Sequence, residues 1–242
     1  LIIGRKGSTG FPNKNITNFV GRPLMTYPIL AAQNSSLIDD IYISTDSNEI
    51  KKIAMKHGLK NIERPKELAT NEALAEDAFA HGYREIKKQS NEEIEFIVLL
   101  FCNGACITPG IIDKGIDFLR KDKEKTFDSA ATSSLYNMWS PLRAKKIVNN
   151  TLEPFFPIEM FDDASCDRGS QGDCWFADCS AFIVRPKCLE DLNYGENPFR
   201  WMGRKVYPLK QWGGLDLDYE WQKGQVEFWL RKHGFSETQT PY

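Results

Sequence analysis

The chain opens with LIIGRKGSTGFPNKN (residues 1–15), an apolar run that passes directly into a glycine-rich, cationic segment. The apolar residues favour a short buried strand, and the glycines favour a tight loop after it. Such a loop leaves backbone N–H groups free to point at anionic oxygens, and Arg5, Lys6 and Lys14 add positive charge around it. The pattern matches neither a Walker loop nor a dinucleotide fingerprint. Taken alone, it is equally typical of a phosphate-binding loop and of a charged surface loop.

Strand and helix patterns alternate after this loop. Strands are predicted at residues 41–43 and 96–101, and helices at residues 23–31, 48–57, 72–88 and 109–121. Pro28 lies inside the first of these helices and is expected to kink it. The order predicts an α/β fold with a mostly parallel, Rossmann-like sheet and helices on both faces. Ligands of such sheets bind beyond the carboxyl ends of the strands, which is where the glycine loop begins.

The second half of the chain has shorter elements. Strands are predicted at residues 129–134, 145–148 and 175–185, and a final helix at 219–233 with Trp221, Gln225, Phe228 and Trp229 on one face. We interpret residues 138–171 as an arm inserted into a single domain of residues 1–242, and as a candidate dimer contact.

Composition narrows the function classes. The chain has 242 residues with 31 basic and 33 acidic side chains, a balance that argues against nucleic acid as its main partner. No apolar run approaches the ~20 residues that cross a bilayer, and no secretory leader opens the chain. We therefore expect a cytoplasmic protein without a membrane partner. Because residue 1 is not Met, we also expect a few residues to precede it. The six cysteines contain no C-x-x-C pair, which favours reduced thiols over zinc or disulfides.

A second signal is GGLDLD, residues 213–218. In an extended segment Asp216 and Asp218 point to the same side, and paired carboxylates suit Mg²⁺. An acidic turn in which Asp218 caps the following helix explains the same residues, and the pattern alone favours that turn. Arg64, which precedes a proline, is likewise an ordinary surface arginine when considered singly.

Taken in order, these segments resemble the acylneuraminate cytidylyltransferases, the synthetases of CMP–sialic acid and of other CMP–nonulosonic acids. The resemblance extends over nearly the whole chain. It is carried by R-x-G-S-x-G-x-P-x-K-N (5–15), GRPL (21–24), ISTD (43–46), RPKELA (64–69), LL (99–100) and D-x-D (216–218).

The resemblance implies a nucleotidyltransferase domain that joins CTP to a sugar acid, giving a CMP-sugar and pyrophosphate. It implies Arg5, Lys14 and Asp218 as catalytic residues, and Asp216 with Asp218 as ligands of Mg²⁺. The implied nucleotide-binding residues are Arg5, Lys6, Gly7, Ser8, Thr9, Lys14, Asn15, Arg64 and Asn103, with Arg64 at the cytosine. The implied sugar-acid residues are Arg143, Arg168 and Gln171. A homodimer is expected, with the arm as its contact.

The chain departs from this family at two places. Thr9 stands where sialic acid synthetases usually carry Lys, although the related Kdo synthetases have Thr there. The family segment LLQPTSPLR is LLFCNGACI here (99–107), which leaves Asn103 as its polar side chain. Three alternatives therefore stay open: another base, a Kdo-like, phosphorylated or phosphonate acceptor, and a silent nucleotide-binding protein. The retained charges at Arg5, Lys14, Asp216 and Asp218 favour an active enzyme.

Overall fold

The computed structural model describes residues 1–7, 9–161 and 164–242, without the side chains of Ile158, Phe161 and Arg168. The strands are β1 (Ile2–Ile3), β2 (Asn18–Phe19), β3 (Arg22–Pro23), β4 (Tyr42–Thr45), β5 (Lys60–Glu63), β6 (Ile97–Phe101), β7 (Ser129–Leu135), β8 (Lys145–Val148), β9 (Thr151–Pro154), β10 (Trp175–Val184) and β11 (Val206–Gln211). The α-helices are α1 (Thr26–Gln33), α2 (Asn48–Lys56), α3 (Ala75–Gln89), α4 (Pro109–Lys121), α5 (Lys187–Glu190) and α6 (Lys223–Lys232).

In the described part of the chain, seven strands form one sheet in the order β5-β4-β1-β6-β10-β7-β11. Neighbours pair in parallel except at β10, which is antiparallel to both β6 and β7. The strand order reverses between β1 and β6, because the chain returns across β1 after forming β5. Open α/β sheets bind their ligands at such a reversal. The prediction of a mostly parallel α/β sheet is confirmed.

Helices cover both faces of the sheet, as the sequence predicts. Successive residues of a strand point to opposite faces. In β6, Leu99 joins the buried cluster that contains Phe79 of α3, whereas Leu100 joins the cluster that contains Ile116 of α4. Both leucines are at most 1% exposed, so the central strand is buried on either side. No helix among the described residues combines the length and apolarity that crossing a membrane requires.

The predicted helix start at Pro23 is wrong. Strands β2 and β3 pair around Val20-Gly21, where both residues have positive φ (41° and 81°), as two-residue hairpin turns require. Pro23 therefore lies in β3, opposite Asn18, and α1 begins at Thr26. Pro28 is the third residue of α1, where a backbone N–H has no intrahelical acceptor. Its ring consequently removes no helical hydrogen bond.

Other predicted boundaries differ less. Helix α2 begins where predicted, with the Ser47 hydroxyl accepting a hydrogen bond from the Ile50 N–H at 3.3 Å. Helix α3 begins at Ala75, three residues after its predicted start. The sequence analysis missed β5 and β11, which are the two edge strands of the sheet. They read KNIE and VYPLKQ, and these mixed polar sequences with a central Pro208 hide the usual strand pattern.

The predicted face of the last helix is also wrong in part. Trp221 and Phe228 are exposed, while Val226, Trp229 and Leu230 are buried. The spacing of the buried residues, i, i+3 and i+4, is that of one helical face. A 3₁₀ turn at Glu220–Gln222 precedes α6, so Trp221 does not share the α-helical period.

The described residues of the arm, 138–161 and 164–171, lie outside the seven-stranded sheet. Their two strands form the hairpin of β8 and β9, which pairs Ile147 with Leu152 in a sheet of its own. The predicted strand at 145–148 is confirmed, and its partner β9 was missed.

Candidate active site

A cavity of about 570 Å³ lies at the carboxyl ends of β1, β5 and β6. It brings together eight residues that the sequence analysis singled out, from four separate segments of the chain. They are Arg5, Thr9, Lys14, Asn15, Arg64, Asn103, Asp216 and Asp218. The cavity is therefore where the reversal of strand order predicts a ligand site.

The glycine-rich loop is fixed by its own hydrogen bonds. Arg5 Nη1 donates to the Gly7 carbonyl at 3.0 Å and to Asn71 Oδ1 at 2.7 Å. The Lys6 N–H donates to the Asp46 carboxylate at 2.9 Å. Gly7 has a φ of 79°, in the left-handed region that favours glycine. Ser8, predicted to bind the nucleotide, lies outside the described residues.

The loop touches the D-x-D segment at Gly10. A Cβ atom at this position would lie 2.6 Å from the carbonyl oxygen of Asp218 and 3.3 Å from the ring of Tyr219. Only glycine fits this approach. The phosphate-loop candidate and the metal-ligand candidate therefore form one continuous wall of the cavity.

Lys14 and Asp218 form an ion pair inside this wall. Lys14 Nζ lies 2.5 Å from Asp218 Oδ1, and the two side chains are 11% and 57% exposed. The lysine opens a 3₁₀ turn (Lys14–Ile16) after Asn13, whose φ is 56°. This turn directs the ammonium group toward the D-x-D segment in the same wall of the cavity.

Asp216 is the more enclosed of the two aspartates. Burial, together with the negative charge of Asp218, raises its pKa to about 6, although the cation of Lys14 opposes this shift. Asn103 holds Leu217, the residue between the two aspartates, through two hydrogen bonds. Its side-chain Nδ2 donates to the Leu217 carbonyl at 2.9 Å, and its backbone carbonyl accepts from the Leu217 N–H at 3.1 Å. Asn103 Nδ2 also lies 3.5 Å from Asp216 Oδ2, a weak contact.

The two aspartates supply some, but not all, of the ligands that a hard divalent cation takes. Their oxygens are the ligands that Mg²⁺ prefers, and they belong to one rigidly held segment. The described residues contain no group of three or more His, Cys, Asp or Glu side chains placed to hold a metal ion. Mg²⁺ commonly takes one or two carboxylates and completes its shell with substrate phosphates and water. This donor set therefore suits a Mg²⁺ ion that binds together with a phosphorylated ligand.

Two further polar residues face the cavity. Arg64 is buried, and it donates through Nη2 to the Ser44 carbonyl at 2.6 Å and through Nε to the Ser44 hydroxyl at 3.3 Å. Burial lowers the pKa of its guanidinium. Asn15 is also buried, and its Oδ1 has no hydrogen-bond partner among the described residues. Because buried polar atoms are normally paired, this oxygen is suited to accept a hydrogen bond from a ligand.

Among the residues whose side chains the structure describes, four predicted ones do not line the cavity. Lys6 and Gly7 lie in the loop but are not part of the cavity lining. Arg143 and Gln171 bind each other on the arm, with Arg143 Nε donating to Gln171 Oε1 at 3.1 Å. The side chain of Arg168 lies outside the described part of the chain. Within one chain, Arg143 and Gln171 are thus separate from the predicted nucleotide residues that line the cavity.

The sequence analysis missed most of the apolar lining of the cavity. Phe101 and Ala75 illustrate the reason, since an apolar side chain in a strand or helix is equally typical of the protein core. The missed lining residues are Ile3, Gly4, Gly10, Leu68, Ala73, Leu74, Ala75, Ala78, Phe101 and Tyr219. Tyr219 carried a usable signal, because it immediately follows D-x-D.

Comparison with known proteins identifies the family to which the chain is similar. The profile of a family described as cytidylyltransferase matches residues 1–151. Pseudaminic acid cytidylyltransferase of Campylobacter jejuni subsp. jejuni serotype O:23/36 (strain 81-176) is 29% identical over 172 residues, 71% of this chain and 70% of that protein. N-acylneuraminate cytidylyltransferase A of Danio rerio is 31% identical over 121 residues, 50% of this chain and 27% of that protein.

A solved structure shares the fold. CMP:2-keto-3-deoxy-manno-octonic acid synthetase complexed with CTP superposes with a TM-score of 0.67 at 13% identity, over 96% of this chain and 97% of that one. At this identity the likeness is one of fold alone. It extends over the second half of the chain, which the family profile does not match.

Proposed function

Because the chain belongs to the cytidylyltransferase family, we propose that it transfers CMP from CTP to the anomeric hydroxyl of a nonulosonic acid and releases pyrophosphate. The observation that carries the proposal is the meeting of the glycine loop, Lys14 and the Asp216–Asp218 pair in one cavity. A triphosphate needs backbone amides and cations, and its metal needs carboxylates.

The nucleotide would bind along the wall formed by the loop. Arg5, Lys14 and the loop amides around Gly7 would hold the triphosphate, because cations and free N–H groups both favour anionic oxygens. Arg64 would face the cytosine, and the unpartnered oxygen of Asn15 would accept a hydrogen bond from the nucleoside. Ser8, Thr9, Lys6 and Asn103 complete the proposed set.

Asp216 and Asp218 would hold Mg²⁺, which supplies charge neutralisation on the phosphates when it is bound. The acceptor hydroxyl would attack the α-phosphorus in line with the leaving pyrophosphate, so that one P–O bond forms as another breaks, and the hydroxyl proton would pass to solvent. Lys14 and Arg5 balance the negative charge of the phosphates. Asp218 is the more exposed carboxylate, with 57% of its side chain accessible, and the acceptor would bind beside it. Positioning and fixed charge supply the acceleration.

The arm would join two copies of the chain. We propose a homodimer whose contact is residues 138–171, with Arg143, Arg168 and Gln171 serving the sugar acid. Support comes from large apolar side chains that this segment leaves exposed: Met138, Trp139, Ile147, Leu152, Phe155, Phe156 and Met160. An exposed apolar patch of this extent is typical of an interaction surface.

The test is pyrophosphate release with Mg²⁺, using CTP, UTP, GTP and ATP against pseudaminic, legionaminic and sialic acids, Kdn and Kdo. We expect release with CTP and one nonulosonic acid. Asp218→Ala should lower the rate at least 100-fold, since it removes one of two metal ligands. Asp117→Ala is the matched control, because Asp117 is an exposed residue of α4 far from the cavity lining.

Two results would contradict the proposal. A near-normal rate in Asp218→Ala would refute the metal assignment. CTP binding without pyrophosphate release for any acid would favour a silent nucleotide-binding protein of the same fold.

A further inference from the structure

A buried carboxylate that the proposed reaction does not use lies behind the D-x-D segment. Asp178, in β10, is 5% exposed. Its Oδ2 accepts hydrogen bonds from the Ser134 hydroxyl at 2.6 Å and from Gln211 Nε2 at 2.9 Å, and its Oδ1 accepts from the Ser180 N–H at 3.1 Å. Burying a carboxylate is costly, and these donors from β7, β10 and β11 offset the cost.

The same network holds the turn that precedes Asp216. Ser134 Oγ, while donating to Asp178, accepts from the Gly214 N–H at 2.8 Å. The Tyr136 hydroxyl donates to the Gly214 carbonyl at 2.9 Å, so both backbone groups of Gly214 are bound. A Cβ atom at Gly214 would lie 2.3 Å from Asp178 Oδ2, which means that the backbone rests directly against the carboxylate.

Asp178 lies in an irregular part of β10. The pairing with β7 shifts register between Ala177 and Phe182, and Cys179 has a φ of 58°, which is unusual for a residue other than glycine. The side chain of Thr132 fills the irregularity, since its Oγ1 accepts from the Ala181 N–H at 3.0 Å and donates to the Ala181 carbonyl at 3.2 Å. Bulges beside functional sites commonly redirect side chains, and such local strain persists only where its surroundings enforce it.

We propose that Asp178 is a positioning residue, which acts through Ser134 and Gln211 to fix the Gly213–Gly214 turn and with it the direction of the Asp216 carboxylate. The inference rests on the proposed function, because it assumes that Asp216 and Asp218 receive the metal. Asn103 fixes the middle of the pair through Leu217. Asp216 is therefore held on both sides, at Gly214 before it and at Leu217 after it, and keeps its place beside the like charge of Asp218.

Asp178→Asn tests this role. The variant keeps the size of the side chain but replaces one acceptor by an NH₂ group that faces a donor. We expect the Mn²⁺ affinity of the CTP complex, measured by electron paramagnetic resonance, to fall at least 10-fold. The Mg²⁺ concentration for half-maximal turnover should rise in proportion, while the KM for CTP, measured at saturating Mg²⁺, stays within twofold. If Asp178 served only general stability, its replacement would not weaken metal binding while leaving the KM for CTP unchanged.

Ser134→Ala is the second variant, and it decides the matter if Asp178→Asn does not fold. It leaves the Gly214 N–H without its acceptor and should weaken metal binding in the same direction. Ser133→Ala is the matched control, because Ser133 neighbours Ser134 in β7 but its hydroxyl contacts only the Ala131 carbonyl, at 3.3 Å, among the described residues. The double variant Ser134→Ala/Asp178→Asn should lose no more Mn²⁺ affinity than the more impaired of the two single variants, since both substitutions break the same network.

Wild-type Mn²⁺ affinity in folded Ser134→Ala or Asp178→Asn protein would overturn the proposal. Asp218→Asn separates this failure from failure of the proposed function. If that variant loses Mn²⁺ while Asp178→Asn keeps it, only the positioning role is wrong. If Asp218→Asn also binds Mn²⁺ normally, the metal site itself is misplaced.

Discussion

Lys14 Nζ and Asp218 Oδ1 lie 2.5 Å apart, although 204 residues separate them in the chain. Lys14 is the cation that we assign to the triphosphate, and Asp218 is a carboxylate that we assign to the metal. Each is therefore the other's partner, and Lys14 cannot move to a phosphate without leaving Asp218 available to a cation. Binding of nucleotide and of metal should accordingly strengthen each other, and by linkage the effect must be reciprocal.

Replacement of Lys14 by Met tests this coupling. Without the competing ammonium group, the free protein should bind Mn²⁺ several-fold more tightly, because an ion pair of this kind contributes about 1 kcal/mol. CTP affinity should fall at least 10-fold, and CTP should enhance Mn²⁺ binding less than in the wild type, because only the direct contribution of the phosphate oxygens to the metal remains. Paramagnetic resonance and calorimetry give the two affinities. Lys51→Met is the control, since Lys51 pairs with Glu63 at the surface; equal Mn²⁺ affinity in Lys14→Met and Lys51→Met would contradict the coupling.

Asp216 predicts a pH dependence of stability. Its pKa is raised from an ordinary 3.8 to about 6, chiefly by burial, so the folded protein binds this proton more readily than the unfolded chain. The stability that the group contributes is complete below pH 3.8 and is lost as the pH rises through 6. Asp216→Asn should therefore be more stable than the wild type at pH 7.5, by about 1–2 kcal/mol. For a fully buried carboxylate, this rise in pKa would correspond to a stability difference of about 3 kcal/mol, and solvent screening at the partly exposed Asp216 reduces that difference.

Urea unfolding with a chelator present, at pH 7.5 and at pH 5, measures this difference. The advantage of Asp216→Asn should shrink at the lower pH, because the wild-type carboxyl is then largely protonated. A constant advantage at both pH values would show that burial of the charge is not its cause. Asp117→Asn, at the exposed face of α4, controls for surface charge.

Sequence patterns predicted the parts of the site that are local in the chain. Lys14 belongs to a loop whose glycines and cations are adjacent, and Asp216 and Asp218 share one short motif. The sheet that brings these segments together follows from alternating strands and helices, because parallel strands align their carboxyl ends. The residues immediately after β1 and β6 were therefore placed correctly in the fold.

The remaining contacts depend on side chains far apart in the sequence. Asp178, Ser134 and Gln211 are unremarkable singly, and only the pairing of β7, β10 and β11 makes them one network. Local pattern also fails to predict burial near helix α6. Trp221 and Trp229 are both aromatic, yet Trp221 lies in the 3₁₀ turn before the helix and is exposed, whereas Trp229 lies in the helix and is buried. Tertiary packing, rather than local pattern, decided these positions.

Tyr219 predicts a role in acceptor binding. Its ring packs over Gly10 and lines the cavity while the residue remains 54% exposed, so one face is open to an entering substrate. Aromatic faces stack well on the apolar face of a sugar ring. Tyr219→Ala should raise the KM for the sugar acid about 10-fold with little change for CTP, and Tyr219→Phe should remain near the wild type. Trp221 is the control: it is 62% exposed but absent from the cavity lining, and equal effects of Tyr219→Ala and Trp221→Ala would refute the assignment.

The hairpin of β8 and β9 predicts how the chain associates. Ile147 and Leu152 face each other across it and are 76% and 69% exposed, so they form one apolar surface. Light scattering at micromolar concentration should give twice the 27.7 kDa chain mass for the wild type. Ile147→Glu should give the mass of one chain, because a charge at the contact must lose its water on association. Lys146→Glu, one residue away on the opposite face of the hairpin, should stay dimeric. A monomeric wild type would refute the dimer, and dissociation by Lys146→Glu alone would place the contact elsewhere.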